Sequence, residues 1–217
     1  MFSFFDLSLP EILSRLIAVI VALSFHEWAH AFAAYKLGDP TARNLGRMTI
    51  NPLAHIDIFG FLMMILVRFG WAKPVPINSR NFKNPRRDEI VVSLAGVCMN
   101  FLLAFVTLGI ALGLGVNSMY LSSGGSFIVM LIYNFIFINL SLLVFNLIPI
   151  PPLDGYRVIQ NLLIRRIGSN VFYYLEKYSY IILIVLLLSG VITTVMSWMV
   201  TKILSGMLLF YSMIFGL

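Results

Sequence analysis

Charge is what this sequence has least of. Only 11% of its 217 residues are charged while 60% are hydrophobic, and the mean hydropathy is +0.94. A soluble domain carries roughly a quarter charged and half apolar residues, so this excess of apolar side chains exceeds what one globular core can bury. Cysteine occurs once, as Cys98 inside an apolar run, which excludes a disulfide framework and leaves the redox compartment open. Repeats, low-complexity tracts and disordered linkers are missing too, which excludes a solenoid or a tethered array. Nor is there the pattern of a cleavable leader: Asp6 and Glu11 precede Arg15, the reverse of a basic n-region, and no small-residue cleavage site follows. Acidic residues are the scarcer sign, nine against fifteen basic, for a net charge of +6. That balance suits a nucleic-acid binder, but the basic residues crowd the loops between apolar runs, where positive charge sets membrane orientation. Nucleic acid is therefore not an expected partner.

What the chain has instead is long apolar runs, and runs of about 18 residues or more point to bilayer-spanning helices. The first extends from about Pro10 to Tyr35 and stops at Lys36-Leu37-Gly38-Asp39-Pro40. Others cover Ile90–Val116 and Phe127–Ile150, separated by an uncharged loop at 117–126. A basic stretch, Arg157 to Lys177, precedes mostly apolar residues 178–217, enough for two helices with a turn near Ser189-Gly190. Residues 44–51 are short, polar and strand-compatible, and Ile58–Phe69 is a brief apolar stretch interrupted by Arg68. The expectation is one domain over residues 1–217. It is an all-α polytopic membrane protein with about five transmembrane helices, a re-entrant or interfacial segment and a short membrane-associated β-element.

The first span contains His26-Glu27-Trp28-Ala29-His30, an H-E-x-x-H pattern. On a helix the two histidines lie one turn apart and face the same way, so both imidazoles can bind one zinc ion. Glu27 projects beside them and can take a proton from water that the metal has made acidic. Ionisable side chains in a membrane span are expensive unless used, which weighs against a fortuitous match. Catalytic zinc needs a third protein ligand and one open position. The only other histidine is His55; the better candidate is Asp154, which follows an apolar run broken by Pro149, Pro151 and Pro152.

His26-Glu27-x-x-His30 together with Asn146-x-x-Pro149 and Leu153-Asp154-Gly155 resembles the site-2 protease family of zinc intramembrane metalloproteases. Gly46-Arg47-Met48-Thr49-Ile50-Asn51-Pro52 with His55-Ile56-Asp57, Trp71-Ala72-Lys73-Pro74-Val75-Pro76 and Asn81-Phe82-Lys83-Asn84-Pro85-Arg86-Arg87 look like its compact branch, without a PDZ domain. The likeness covers about residues 20–160, so a catalytic core is expected over about 10–160, followed by C-terminal hydrophobic helices over about 171–217. It implies one catalytic Zn2+ bound by His26, His30 and Asp154, Glu27 as base and proton shuttle, and Asn146 near the metal as oxyanion donor or substrate-positioning group. One departure is that the family's A-G-P-x-x-N pattern reads Ala95-Gly96-Val97-Cys98-Met99-Asn100 here. His55 is left as a group orienting a ligand or as a polar interfacial residue.

The ligands must meet at one depth. Ile58–Phe69 makes only about 18 Å of helix against about 30 Å of hydrocarbon. If it does not cross, the first span and Phe127–Ile150 run parallel and the basic loops 36–57 and 71–89 share a face. The positive-inside rule then puts that face in the cytoplasm and the N-terminus outside, in the cell membrane. The expected activity is endopeptidase cleavage within or near the transmembrane segments of membrane-protein substrates, with those substrates and the lipid bilayer as partners. A substrate helix unwound for cleavage could add as a strand to residues 46–51, unless these form only a structural hairpin. Two rivals are a metal-binding pseudoprotease that acts as a membrane-protein binding partner, against which the intact Glu27 counts, and a small transporter. A transporter does not require Glu directly after the first His together with a distal Leu-Asp-Gly.

Overall fold

The computed structural model describes residues 8–60, 72–116 and 126–216. Eight helices carry the described chain: α1 (Leu9–Lys36), α2 (Thr41–Asn44), α3 (Pro85–Gly113), α4 (Phe127–Leu147), α5 (Asp154–Ile167), α6 (Ser169–Lys177), α7 (Ser179–Leu188) and α8 (Val191–Phe215). Four of them, α1, α3, α4 and α8, are long and apolar enough to cross a membrane, and α6 with α7, bent by 63°, is a fifth candidate. The protein is thus a multi-pass, all-helical membrane protein. Helix α1 starts where it does because Glu11 accepts both the N–H and the hydroxyl of Ser8 and Pro10 sits in the first turn. Helix α3 begins at Pro85, earlier than the apolar run, because Asp88 turns back to accept the Asn84 N–H at 3.0 Å. Its charged first turn disguises a helix start as a loop. Gly190, at φ +76°, makes the turn between α7 and α8.

A few contacts fix the direction of the bundle. Asn134 donates to Ser14 at 2.7 Å near the N-terminal ends of α4 and α1. Asp154, just beyond the end of α4, meets His26 and His30 toward the other end of α1. These two helices therefore run parallel. His30 pairs with Val92 and His26 with Asn100, so α3 runs antiparallel to both. Gly109 lies against Tyr211 and Gly113 against Phe215, which makes α8 parallel to α3. Small residues of α1, Ala18, Ala22, Ala31 and Ala34, are wholly buried and let the backbones approach, the usual device where lipid supplies no hydrophobic drive. Val97, Ala104 and Leu108 of α3, Ile136, Leu140 and Leu143 of α4, and Val200, Met207 and Tyr211 of α8 form the principal apolar core.

At the end of the bundle shared by Lys36 and Pro85, Asp39 ties the connecting loops together. It accepts the Asn78 N–H and the Asn81 amide, both at 2.7 Å, and the N–H and hydroxyl of Thr41. Burial alone would raise its pKa, but these donors outweigh burial and hold the carboxyl below its ordinary value.

Residues 44–51 are not the strand or hairpin that their composition suggests. Asn44 ends α2, Gly46 takes φ +68°, and the Arg47 N–H bonds back to Ala42 at 2.8 Å. Thr49 and Asn51 side chains then accept the Asn51 and Leu53 N–H groups. Such local bonds occupy some of the donors that a strand would use in pairing. Among the described residues the β-type pairing is one antiparallel bridge, Ile56 to Ala72. The re-entrant or interfacial stretch expected at Ile58–Phe69 lies, from residue 61 onward, outside the described residues. Ile56 and Ala72, on either side of it, are the two bridged residues.

Because Asp39 ties Thr41 to Asn78 and Asn81 at one end of the bundle, single cysteines at Arg43 and Arg80 in a Cys98→Ser background should react with a membrane-impermeant thiol reagent from the same side of a sealed vesicle. Labelling from opposite sides would contradict this topology.

Candidate metal centre

His26 and His30 project from one face of α1 and are each pinned from behind by α3. The His30 Nδ1–H donates to the Val92 carbonyl at 2.7 Å, and the His26 Nδ1–H donates to Asn100 Oδ1 at 3.0 Å. A proton on Nδ1 leaves Nε2 as a bare lone pair. The two Nε2 atoms face each other at 2.9 Å, and Asp154 Oδ2 lies 3.3 Å from His26 and 3.2 Å from His30. All three groups are largely shielded from solvent, and Asp154 Oδ2 is buried without a hydrogen-bond donor.

Three acceptors facing one another repel unless a positive charge lies among them. One shared proton can satisfy one of these contacts, whereas a metal ion satisfies all three. Ligands about 2.0–2.1 Å from a tetrahedral zinc lie about 3.3 Å apart, close to the spacing found here, and two imidazoles with one carboxylate leave a fourth position open. The residues present therefore fit a catalytic zinc ion.

The neighbouring backbone explains why the cluster closes. A Cβ built on Gly96 of α3 would fall 2.5 Å from His30 Nε2 and 2.6 Å from His26 Cε1, so only glycine lets α3 approach the imidazoles. After α4 the prolines end the helix and redirect the chain into α5, whose first residue is Asp154. A side chain at Gly155 would collide with the Leu147 carbonyl, so the Gly after Asp154 seats the start of α5 against the end of α4. The helix N-terminus favours the carboxylate there. Helix α5 is clamped to α6 by Tyr156, whose hydroxyl donates to Glu176 at 2.8 Å, and to α3 by Asn161, whose amide donates to Glu89 at 2.8 Å.

The other expected residues fall as follows. Glu27, beside the histidines, accepts the Val75 N–H on Oε2 at 2.7 Å. Asn146 gives its amide to the Leu142 carbonyl one turn earlier in α4, at 3.0 Å, rather than to the cluster. His55 is buried, but its Nε2–H donates to the Thr49 carbonyl at 2.7 Å and its own carbonyl accepts the Lys73 N–H. The structure thus brings Asp154, and not His55, to the two histidines. Gly96, Asn100 and Val75 were given no role by sequence reasoning. Asn100 carried a readable signal, since an Asn inside an apolar span needs a partner. Val75 had none, because it acts through its backbone.

Comparison with known proteins points to a family of metalloproteases. The sequence profile of Peptidase family M50 matches residues 121–190. The chain is 40% identical over 190 residues to the Bacillus subtilis protein named "Putative zinc metalloprotease YwhC", covering 85% of this chain and 84% of that one. It is also 30% and 32% identical to Rip2 proteins of the same description from Mycolicibacterium smegmatis and Mycobacterium tuberculosis, over 65% of this chain and 54% of each of theirs. No solved structure matches. The chain belongs to peptidase family M50, the site-2 protease family of metalloproteases.

Gly96→Ala should displace the imidazoles and lower zinc content of the purified protein at least about tenfold. Gly113→Ala, whose added carbon would meet only the Phe215 ring at 3.6 Å, should leave zinc content unchanged. Full zinc in the Gly96 variant would contradict the assigned packing.

Proposed function

We propose that this protein is a zinc-dependent intramembrane endopeptidase that hydrolyses peptide bonds within or near the transmembrane segments of membrane-protein substrates. The observation that carries this reading is the meeting of two bare imidazole nitrogens and a carboxylate oxygen within a bundle of membrane helices. His26, His30 and Asp154 would hold the metal. Zinc supplies Lewis acidity toward a peptide carbonyl and lowers the pKa of water to about 7. Glu27 takes the proton that water loses as its oxygen bonds to the carbonyl carbon. It returns that proton to the amide nitrogen as the C–N bond breaks. The Val75 N–H holds one oxygen of Glu27 in place and leaves the other to accept the proton. Asn146, on rotating away from Leu142, can donate its amide to the carbonyl oxygen as negative charge develops.

The described residues of the basic loops 36–57 and 71–89 and the basic helices α5 and α6 lie toward one end of the bundle. The positive-inside rule puts that end in the cytoplasm of a cell membrane and the N-terminus outside. The partners are membrane proteins with a spanning segment and the surrounding bilayer; nucleic acid is not among them.

Purified protein incubated with a panel of single-span substrates should cleave at least one within or beside its span. A chelator should abolish cleavage and added zinc restore it. Glu27→Gln should lower the rate about 10²–10⁴-fold with zinc still bound. Asp154→Ala should lose zinc and activity together, whereas His55→Ala should keep its zinc. Cleavage by Glu27→Gln at the full rate would overturn the mechanism, and zinc loss confined to His55→Ala would overturn the ligand set.

A further inference from the structure

The segment Ala72-Lys73-Pro74-Val75-Pro76 passes directly over Glu27. Proline carries no N–H and a fixed φ, so between residues 74 and 76 the chain offers one backbone donor, that of Val75. This donor goes to Glu27 Oε2 at 2.7 Å in a buried contact. The other end of the same peptide unit, the Pro74 carbonyl, accepts from Arg47 Nη2 at 3.3 Å, and the Lys73 carbonyl accepts from the same nitrogen at 2.8 Å. A peptide unit is planar and rigid. Cation, carbonyl, N–H and carboxylate therefore form one line, Arg47 to Pro74–Val75 to Glu27. A positive charge on the oxygen polarises the N–H, and a hydrogen bond to an ionised acceptor is the stronger kind.

The anchorage of both ends suits this arrangement. Arg47 stands just after the left-handed turn at Gly46, its N–H bonded to Ala42 at 2.8 Å. The segment is held before Pro74 by the Lys73 N–H to the His55 carbonyl at 2.8 Å, and after Pro76 by the Asn78 N–H to Asp39 at 2.7 Å. We propose that Arg47 is a positioning residue for Glu27 and acts through the Pro74–Val75 peptide. This inference rests on the reading of Glu27 as the general base. It gives the loop between α1 and α3 a part in the chemistry without any contact to metal or substrate.

Kinetics on a cleaved single-span substrate test the proposal. Arg47→Gln should lower kcat about tenfold to a hundredfold with KM within about twofold and zinc content unchanged. Arg47→Lys, which keeps the charge but not the fork, should recover part of the loss. Val75→Pro removes the N–H itself, and the double variant with Arg47→Gln should be no slower than Val75→Pro alone, because both act on one bond. A readout free of turnover is the Val75 amide proton, observed with 15N-valine in the metal-free protein. Its resonance should move upfield in Glu27→Ala and in the same direction, by less, in Arg47→Gln. Full kcat in Arg47→Gln, strictly additive losses, zinc loss in Arg47→Gln or an unmoved Val75 resonance there would each overturn the proposal. Full activity in Glu27→Gln would instead remove the reading beneath it, so the two failures are distinguishable.

Discussion

Two imidazole lone pairs and a carboxylate oxygen, brought close together inside a bundle of apolar helices, are the constraint around which the bundle is arranged. Buried polar atoms without partners cost several kcal/mol each in an apolar setting, and here three of them point at one place. Nearly every unusual feature of the helices serves that convergence. Gly96 removes the side chain that would fill the space, Val92 and Asn100 take the Nδ1 protons and so fix which nitrogens face inward, and the prolines after α4 turn the chain so that α5 begins on Asp154.

The same constraint determines the topology. For the end of α4 to deliver a ligand to the distal half of α1, the two helices must run parallel, which requires α3 to run against both and the chain between α1 and α3 to return to the face it left. Ser14 and Asn134 at one end and the His–Asp contacts at the other are the observations that fix this. The basic residues of the described loops between α1 and α3 and of α5 and α6 then fall at one end of the bundle, with Arg15 toward the other. Charge distribution and ligand geometry, two independent properties of the sequence, agree on the arrangement.

Much of this was legible in the sequence because periodicity and motif spacing act locally. Apolar runs mark spans whatever their neighbours, and H-E-x-x-H places two imidazoles on one face of any helix. What was not legible depends on contacts between distant segments or on backbone atoms. Residues 44–51 have strand-compatible side chains, yet the turn at Gly46 and the Thr49 and Asn51 side chains satisfy the backbone locally. The charged residues after Pro85 read as loop, although Asp88 makes them a helix start. Asp154 was legible as the better third ligand through its place in Leu153-Asp154-Gly155, but how α5, seated against α4, carries it to the two histidines was not. Val75 acts through its N–H, which no side-chain pattern encodes.

The central claim, that His26, His30 and Asp154 together hold one zinc ion, is tested most directly by zinc K-edge X-ray absorption on the purified protein. The account predicts one zinc per chain with two imidazole nitrogens at about 2.0–2.1 Å, a carboxylate oxygen at about 2.0–2.2 Å and a further light-atom ligand in the fourth position. A spectrum with three imidazoles, with sulfur from Cys98, or with six oxygens at longer distance would contradict it.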